Sequence, residues 1–177
     1  MRKTRYKEVV RKTLRTPKTV SSMTLFRWFS RFALSLYLSL KAWGSPVAFG
    51  AVAIVDDADG RVLLVRHSYQ PGWHLPGGGV GPAEPPAQAI VRELQEEVGL
   101  TESAAPELLG IFTRRIGWVT NVIALYHVPG ARIAFKQNAE ILEILWADPR
   151  ALPEGAVRGT RRRLAEFTDK TAPQPYW

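Results

Sequence analysis

The 177-residue sequence contains no cysteine. Disulfide bonds, a nucleophilic thiolate and a zinc site built from thiolates are therefore excluded. Histidine is scarce as well, because the chain has only His67, His74 and His127. A bound metal ion would therefore rest mainly on oxygen ligands, and such ligands favour Mg²⁺ or Mn²⁺.

The sequence also lacks the roughly 20 uninterrupted apolar residues that a transmembrane helix needs. The longest apolar run, residues 32–40, is less than half that length and contains two serines. No small-residue cleavage site follows it, so the segment does not have the pattern of a standard secretory signal. We therefore predict a cytoplasmic location.

Acidic residues are nearly absent from the first quarter of the chain. Residues 1–45 hold 11 Lys and Arg against one acid, a net charge of +10, whereas residues 46–177 hold 13 against 15, a net charge of −2. Proteins that bind nucleic acid along their folded body carry cations on that body, so we predict no stable nucleic-acid partner. We divide the chain into a basic arm, residues 1–45, and one folded domain, residues 46–177.

The basic arm contains two segments of different composition. Residues 1–22 are rich in Lys, Arg and Thr, so we predict that they lack stable structure, unless Met23 is the true start. Residues 23–43 are apolar and predict an amphipathic helix that stops near Gly44. A polar residue recurs every four positions, at Arg27, Arg31, Ser35 and Ser39. The favoured interpretation packs this helix on the domain's own surface; the alternatives are contact of residues 1–43 with an anionic membrane and a targeting presequence.

From residue 46 onward the pattern predicts strands around a central helix. Strand-like stretches occur at 47–55, 61–66, 107–116, 119–128 and 139–147, and helical periodicity occurs at 85–98 and 156–167. An Asp- and Gly-rich turn at 56–60 predicts that the first two strands form a hairpin. Strands on both sides of a helix indicate a mixed α/β sandwich.

The central predicted helix carries the clearest chemistry. Prolines open it, and Gly99 is placed to end it. Glu93, Glu96 and Glu97 stand at i, i+3 and i+4, so their carboxylates project from one face. Like charges at this spacing destabilise a helix. A divalent cation such as Mg²⁺ compensates for them directly, because it prefers oxygen ligands.

The stretch from Gly78 to Leu100 resembles the signature of the Nudix family. That signature is Gly, five residues of any kind, Glu, seven of any kind, then Arg-Glu-apolar-any-Glu-Glu-any-Gly-apolar. Every specified position is filled, by Gly78, Glu84, Arg92, Glu93, Leu94, Glu96, Glu97, Gly99 and Leu100. Two other positions depart from many members, since Gly81 stands where Glu is common and Ala83 where Gly is common. The missing acid at position 81 leaves the number of metal ions open.

The resemblance covers about residues 46–155, and it implies both a fold and an activity. The implied fold is an α/β/α sandwich with a mixed sheet, to which the N-terminal amphipathic helix is added here. The implied enzyme is a Nudix hydrolase that uses Mg²⁺, with Mn²⁺ as a substitute, to cleave the pyrophosphate bond of a nucleoside diphosphate linked to another moiety. The alternative is a Nudix domain that senses nucleotides without cleaving them, although such a domain is expected to lose signature glutamates. The substrate's identity and a homodimer are left open.

Residue roles follow from the matched positions. The resemblance implies a catalytic set of Arg92, Glu93, Glu96 and Glu97. The implied metal ligands are the three glutamates of that set, the Gly78 carbonyl and an acid from outside the signature, for which we predict Glu140 and, as second choice, Glu143. Glu84 and Arg92 are expected to support the cluster.

Residues outside the signature supply the candidate substrate contacts. We predict that Arg114 and Arg115 bind phosphate and that Trp73 stacks on a nucleobase. The alternatives are a plain surface role for the two arginines and core packing for Trp73. His67 and His74 are interpreted as structural or surface residues. The arginines at 161–163 are predicted to be solvated on the polar side of the last helix.

Overall fold

The computed structural model describes residues 22–44 and 46–177. The chain divides into two compact units, one ending at Gly44 and one beginning at Ser45. The first contains helix α1 (Ser22–Gly44). The prediction that residues 1–22 lack structure falls, apart from Ser22, outside the described residues. Among the helices within the described ranges, none has the length and apolar character that crossing a membrane requires.

The described part of the second unit contains eight strands and two helices. In chain order they are β1 (Val47–Val55), β2 (Val62–His67), β3 (Gly77–Gly79), α2 (Pro86–Val98), β4 (Leu100–Glu102), β5 (Glu107–Ile116), β6 (Val119–Val128), β7 (Arg132–Ile133), β8 (Ile141–Ala147) and α3 (Arg158–Asp169). The long elements match the predicted ones to within about two residues. The short strands β3, β4 and β7 were not predicted, because two or three residues carry no periodicity.

The main sheet has four strands in the order β3-β1-β6-β5. Strand β1 runs parallel to β6 and antiparallel to β3, so the sheet is mixed. The predicted hairpin between the first two strands is wrong, because β2 pairs with β8 instead. The physical reason is that β3 and β6 already occupy the two edges of β1. Strand β2 therefore leaves the main sheet and forms a second sheet with β8.

Helices cover both faces of this arrangement. Alternate residues of β1 face opposite sides, as strand geometry requires. Ala51 and Ala53 enter the cluster that contains Leu94 of α2, whereas Ile54 enters the cluster that contains Leu164 of α3. The resulting α/β/α layering places α2 beside β3.

Candidate active site

Glu97 lies at the centre of the site, where α2 meets β3. Glu97 lies on the same face of α2 as the apolar side chains that pack in the core. Only 4% of the residue is exposed. Its Oε2 accepts a hydrogen bond from the N–H of Gly77 at 2.8 Å. Burial raises the pKa of Glu97 to about 8, and the charges of neighbouring glutamates add to the rise. The hydrogen bond from Gly77 acts in the opposite direction and lowers the pKa. The site therefore holds a carboxylate that needs a positive partner.

Two glycines let the backbone pass close to this helix. Gly77 has a φ of +136°, and a Cβ there would collide with the carbonyl oxygen of Ala51. A Cβ on Gly78 would collide with the carboxylate of Glu93. Close approach thus requires glycine at position 77, a side chain at position 78 would displace Glu93, and the strand brings its backbone against the glutamates.

Arg92 ties the remaining acids of the signature together. Its Nε and Nη2 donate to the two oxygens of Glu84, at 2.9 and 3.0 Å, and its Nη1 donates to Glu93 at 2.8 Å. The same Nη1 reaches Glu96 at 3.3 Å, and Nη2 also donates to the Gly79 carbonyl at 3.0 Å. Hydrogen bonds from Arg92 and from the N–H of residue 81 lower the pKa of Glu84 to about 2. This fork keeps Glu84 ionised and ties it to Glu93 and Glu96 through a shared guanidinium.

A second group of side chains reaches Glu97 from β2 and from the loop before β8. A bulge interrupts the β2–β8 pairing between Arg66 and His67, and bulges redirect side chains. One ligand-type atom each from His67, Glu97 and Glu140 lies within 4.8 Å of the other two. The Tyr69 hydroxyl donates to Oε1 of Glu140 at 3.0 Å. Burial and that bond raise the pKa of Tyr69 to about 12.

Asn138 connects this loop to the end of α2. Its Nδ2 donates to the Glu97 carbonyl at 3.2 Å, and its Oδ1 accepts the backbone N–H groups of Glu140 and Ile141 at 3.0 and 2.7 Å. The amide therefore positions Glu140 relative to Glu97. The sequence carries no signal for this role, because it depends on a contact between segments 41 residues apart.

A cavity of about 920 Å³ opens beside the glycine strand. Aromatic and cationic side chains line much of it, including Phe49, Tyr69, Arg114, Arg158, Arg162 and Trp177. Such a volume lies in the range of small-molecule sites. The cavity therefore places a mixed aromatic and basic wall next to the acidic cluster.

A family model of the NUDIX domain matches residues 45–168. The chain belongs to the NUDIX family. A protein of Bacillus subtilis (strain 168) named "Putative 8-oxo-dGTP diphosphatase" is 30% identical over 118 residues, covering 67% of this chain and 78% of that one. The RNA pyrophosphohydrolase of Halorhodospira halophila (strain DSM 244 / SL1) is 51% identical over 47 residues, covering 27% of this chain and 26% of that one.

Solved structures resemble this NUDIX chain over most of their own length. The MutT NUDIX hydrolase from Burkholderia pseudomallei aligns with a TM-score of 0.60 at 25% identity and covers 67% of this chain and 96% of its own. The MutT protein from Methanosarcina mazei Go1, at 23% identity, supports the fold with a TM-score of 0.61, covering 71% of this chain and 95% of its own. The predictions of the Nudix family, of the mixed α/β fold and of a hydrolase are thereby confirmed.

The structure separates the predicted metal ligands of this NUDIX domain into two sets. Glu97 and Glu140 bring carboxylate oxygens within 4.8 Å of one another. Glu93 and Glu96 are instead engaged by Arg92, and the Glu96 side chain is 62% exposed. Glu143 pairs with Arg66 on the exposed surface of the second sheet. The carbonyl of Gly78 belongs to the strand that passes over Glu93.

Of the three predicted substrate contacts, one lines the cavity and two lie elsewhere. Arg114 lines the cavity. Arg115, the next residue of the strand, faces the other side, where its Nε donates to the Gly117 carbonyl at 2.9 Å. Trp73 packs against the apolar cluster beneath α3 and lies outside the described cavity lining. Core packing, the alternative interpretation for Trp73, thus describes its surroundings.

The prediction that residues 161–163 are all solvated is wrong for Arg163. This residue is 1% exposed, because its guanidinium lies 3.9 Å from the ring centre of Phe112 and 5.6 Å from that of Trp177. It also donates to the carbonyls of Gln174 and Tyr176, at 3.1 and 2.7 Å. Arg163 thereby holds the C-terminal residues against the domain, with Trp177 at the cavity wall.

Replacing Arg92 by lysine is expected to lower hydrolytic activity by about 10- to 100-fold, because Arg92 orients the predicted metal ligands Glu93 and Glu96 and losing an orienting residue usually has this effect. Lysine keeps the charge but cannot donate to Glu84 and Glu93 at once in a planar fork. Steady-state kinetics on a diphosphate that the wild type cleaves measure the effect. Arg132→Lys, on an exposed ion pair with Glu102, is the matched control and should stay near wild type. Equal activities of the two variants would contradict the role given to Arg92.

Proposed function

We propose that this protein is a Mg²⁺-dependent hydrolase that cleaves the pyrophosphate bond of a nucleoside diphosphate linked to another moiety. The observation that carries the proposal is that the acidic cluster around the buried Glu97 adjoins a cavity of nucleotide size. A diphosphate bound between them would have its charge next to the cation and its organic part in the cavity. Glycine strand β3 forms the boundary between the two regions.

The donor set suits a hard divalent cation. Glu97 and Glu140 present carboxylate oxygens close together, and Glu97 is buried without a cationic side chain bound to it among the described contacts. Carboxylates in this number are the ligands that Mg²⁺ takes. When bound there, Mg²⁺ neutralises charge on the diphosphate and activates the attacking water.

The protein's own residues hold and orient the reacting groups. We assign Glu97 and Glu140 to cation binding, with Glu96 and the Gly78 carbonyl as further ligands. Glu93 is assigned either to the cation or to the water, as the base that orients it. Arg92 keeps Glu93 in place through the 2.8 Å hydrogen bond. The N–H of Gly77 does the same for Glu97.

The cavity supports a nucleotide as the organic part of the substrate. Tyr69 and Trp177 offer aromatic faces for a base, and Arg114 and Arg162 offer cations for phosphate. All four line the same cavity. The names of the relatives, an 8-oxo-dGTP diphosphatase and an RNA pyrophosphohydrolase, agree with a nucleotide substrate.

A hydrolysis panel tests this proposal. The purified protein is incubated with nucleoside triphosphates, nucleotide sugars and dinucleoside polyphosphates in Mg²⁺, and the products are identified in ¹⁸O-labelled water. We expect cleavage within a diphosphate, with the label on one phosphate product, and loss of activity in EDTA. A phosphate monoester, which has no diphosphate, is the control and should not be cleaved. Nucleotide binding by calorimetry without turnover of any panel member would overturn the proposal in favour of a sensor domain.

We also propose a cytoplasmic location. The contact of residues 1–43 with an anionic membrane remains an alternative to packing on the domain, and a homodimer remains open. Co-sedimentation with anionic vesicles, comparing the full chain with one that starts at Ser45, addresses the membrane contact.

A further inference from the structure

His67 is buried beside the acidic cluster with one ring nitrogen unsatisfied. The residue is 7% exposed, and its Nδ1 has no hydrogen-bond partner among the described residues. The nearest carboxylate oxygen, Oε1 of Glu97, lies 4.0 Å away, which is too far for a hydrogen bond. Leaving a buried polar atom unpaired costs free energy. A bound ion or water is a usual explanation for such an atom.

The spacing of the cluster suits a shared ion. Ligands about 2.1 Å from one cation stand about 3 Å apart when adjacent and about 4.2 Å apart when opposite. The 4.0 Å between His67 and Glu97 falls in this range. Glu140 completes the group within 4.8 Å, and as an exposed side chain it can close the remaining distance by rotating. The Tyr69 hydroxyl donates to Oε1 of Glu140. Oε2 of Glu140 is therefore the oxygen that can turn towards an ion.

The other two histidines have partners and lie differently. His74 stacks edge-on against His67, with ring centres 5.4 Å apart, but its Nε2 is 3.0 Å from the Pro71 carbonyl. His127 pairs with Asp56 at 2.7 Å. His67 is therefore the imidazole whose free nitrogen faces the glutamates.

We propose that the Nδ1 nitrogen of His67 is a ligand of the divalent cation at Glu97 and Glu140, and that this site consequently binds Mn²⁺ more tightly than Mg²⁺. The inference rests on the proposed function, because it adds a ligand to the cation which that function requires. Mg²⁺ is bound through oxygen, whereas imidazole is a ligand of transition ions. The Nudix signature contains no histidine, so this preference belongs to residues outside it.

Pulsed electron paramagnetic resonance of Mn²⁺ bound to the full chain tests this assignment. We expect coupling from a ¹⁴N nucleus, which changes to ¹⁵N coupling when the histidines alone are ¹⁵N-labelled. The coupling should disappear in His67→Gln and persist in His74→Gln, the matched control. In His67→Gln the Kd for Mn²⁺ should rise by about 10- to 100-fold. The Kd for Mg²⁺ should change by less than about threefold, because the amide oxygen of glutamine can take the place of the His67 nitrogen as a ligand.

The isotope comparison uses the wild type alone, so it remains valid if His67→Gln fails to fold. The second variant is His67→Asn, whose amide can place a metal-binding oxygen near the position of Nδ1. Mn²⁺ bound without histidine coupling in the wild type would overturn the inference, even if the hydrolysis panel succeeds. Histidine coupling that persists in both His67 variants would overturn it as well. Histidine coupling in a protein that cleaves no diphosphate would support the ligand and reject the proposed function instead.

Discussion

Glu97→Gln is expected to lower the rate of diphosphate hydrolysis on the order of 10³-fold. The amide has the size of the carboxylate, and its oxygen can still accept the N–H of Gly77 that Glu97 accepts at 2.8 Å. What it loses is the negative charge at the centre of the cluster, next to Glu140 and Glu93. The variant should therefore keep the fold and remove the proposed cation ligand. Single-turnover kinetics at saturating Mg²⁺, with melting curves for each protein, measure both parts of this expectation.

Two matched variants separate the role of Glu97 from a general effect of charge. Glu102→Gln removes an exposed carboxylate that pairs with Arg132, and its activity should stay within about twofold of wild type, as for most surface substitutions. Glu96→Gln removes an exposed acid of the same helix face and should have an intermediate effect. If Glu97→Gln retains more than a tenth of the wild-type rate, Glu97 is not the central ligand.

The same substitution distinguishes a ligand from a structural residue. A carboxylate that stabilised the fold would make the amide variant less stable. Here burial raises the pKa of Glu97, so the charged form is costly without a cation. Glu97→Gln should therefore melt at a higher temperature than the metal-free wild type at pH 8, while being inactive. A gain in stability joined to a loss of activity is the pattern expected of a functional site.

The local elements could be predicted from sequence because their signals are local. The apolar spacing, the prolines and Gly99 determine α2 within 15 residues, and Gly99 adopts the expected left-handed conformation with φ +67°. The spacing of Glu93, Glu96 and Glu97 likewise indicates a cation site without any knowledge of the rest of the chain. Strand pairing was harder to predict from the sequence. Which partner β1 takes depends on β3 and β6, and the Asp-Gly turn favoured β2 locally.

The parts of the site that escaped prediction all depend on distant contacts. His67 reaches Glu97 only because β2 pairs with β8 and bulges at its end. Asn138 acts through the end of a helix 41 residues earlier in the chain. The burial of Arg163 depends on Phe112 and Trp177 packing around it, whereas its own helix suggests a solvated basic face. A periodic pattern describes one element, and these residues act between elements.

Removing divalent cations is expected to make the folding stability of the wild type fall as the pH rises from about 4.5 to about 8. Glu97 has a pKa of 4.5 when unfolded and about 8 when folded. Between these values the folded state keeps a proton that the unfolded state has lost, so each pH unit in the window lowers the free energy of unfolding by up to about 1.4 kcal/mol. Below pH 4.5 the carboxyl is protonated in both states and the effect vanishes. Urea unfolding in EDTA at several pH values measures this slope.

The upper half of that window isolates Glu97 from the other shifted groups. Glu84, with a folded pKa of about 2, gives a stability change of opposite sign that is complete by about pH 4.5. Burial lowers the pKa of His67, so its contribution rises with pH and is complete once the pH exceeds the unfolded value of 6.5. Between pH 7 and 8 the fall should therefore belong to Glu97, and Glu97→Gln should abolish it. Saturating Mn²⁺ should also remove the slope between pH 7 and 8, because the cation binds only the ionised carboxylate and the unfolded carboxyl is ionised there as well; a fall that persists in both cases would show that it does not arise from Glu97.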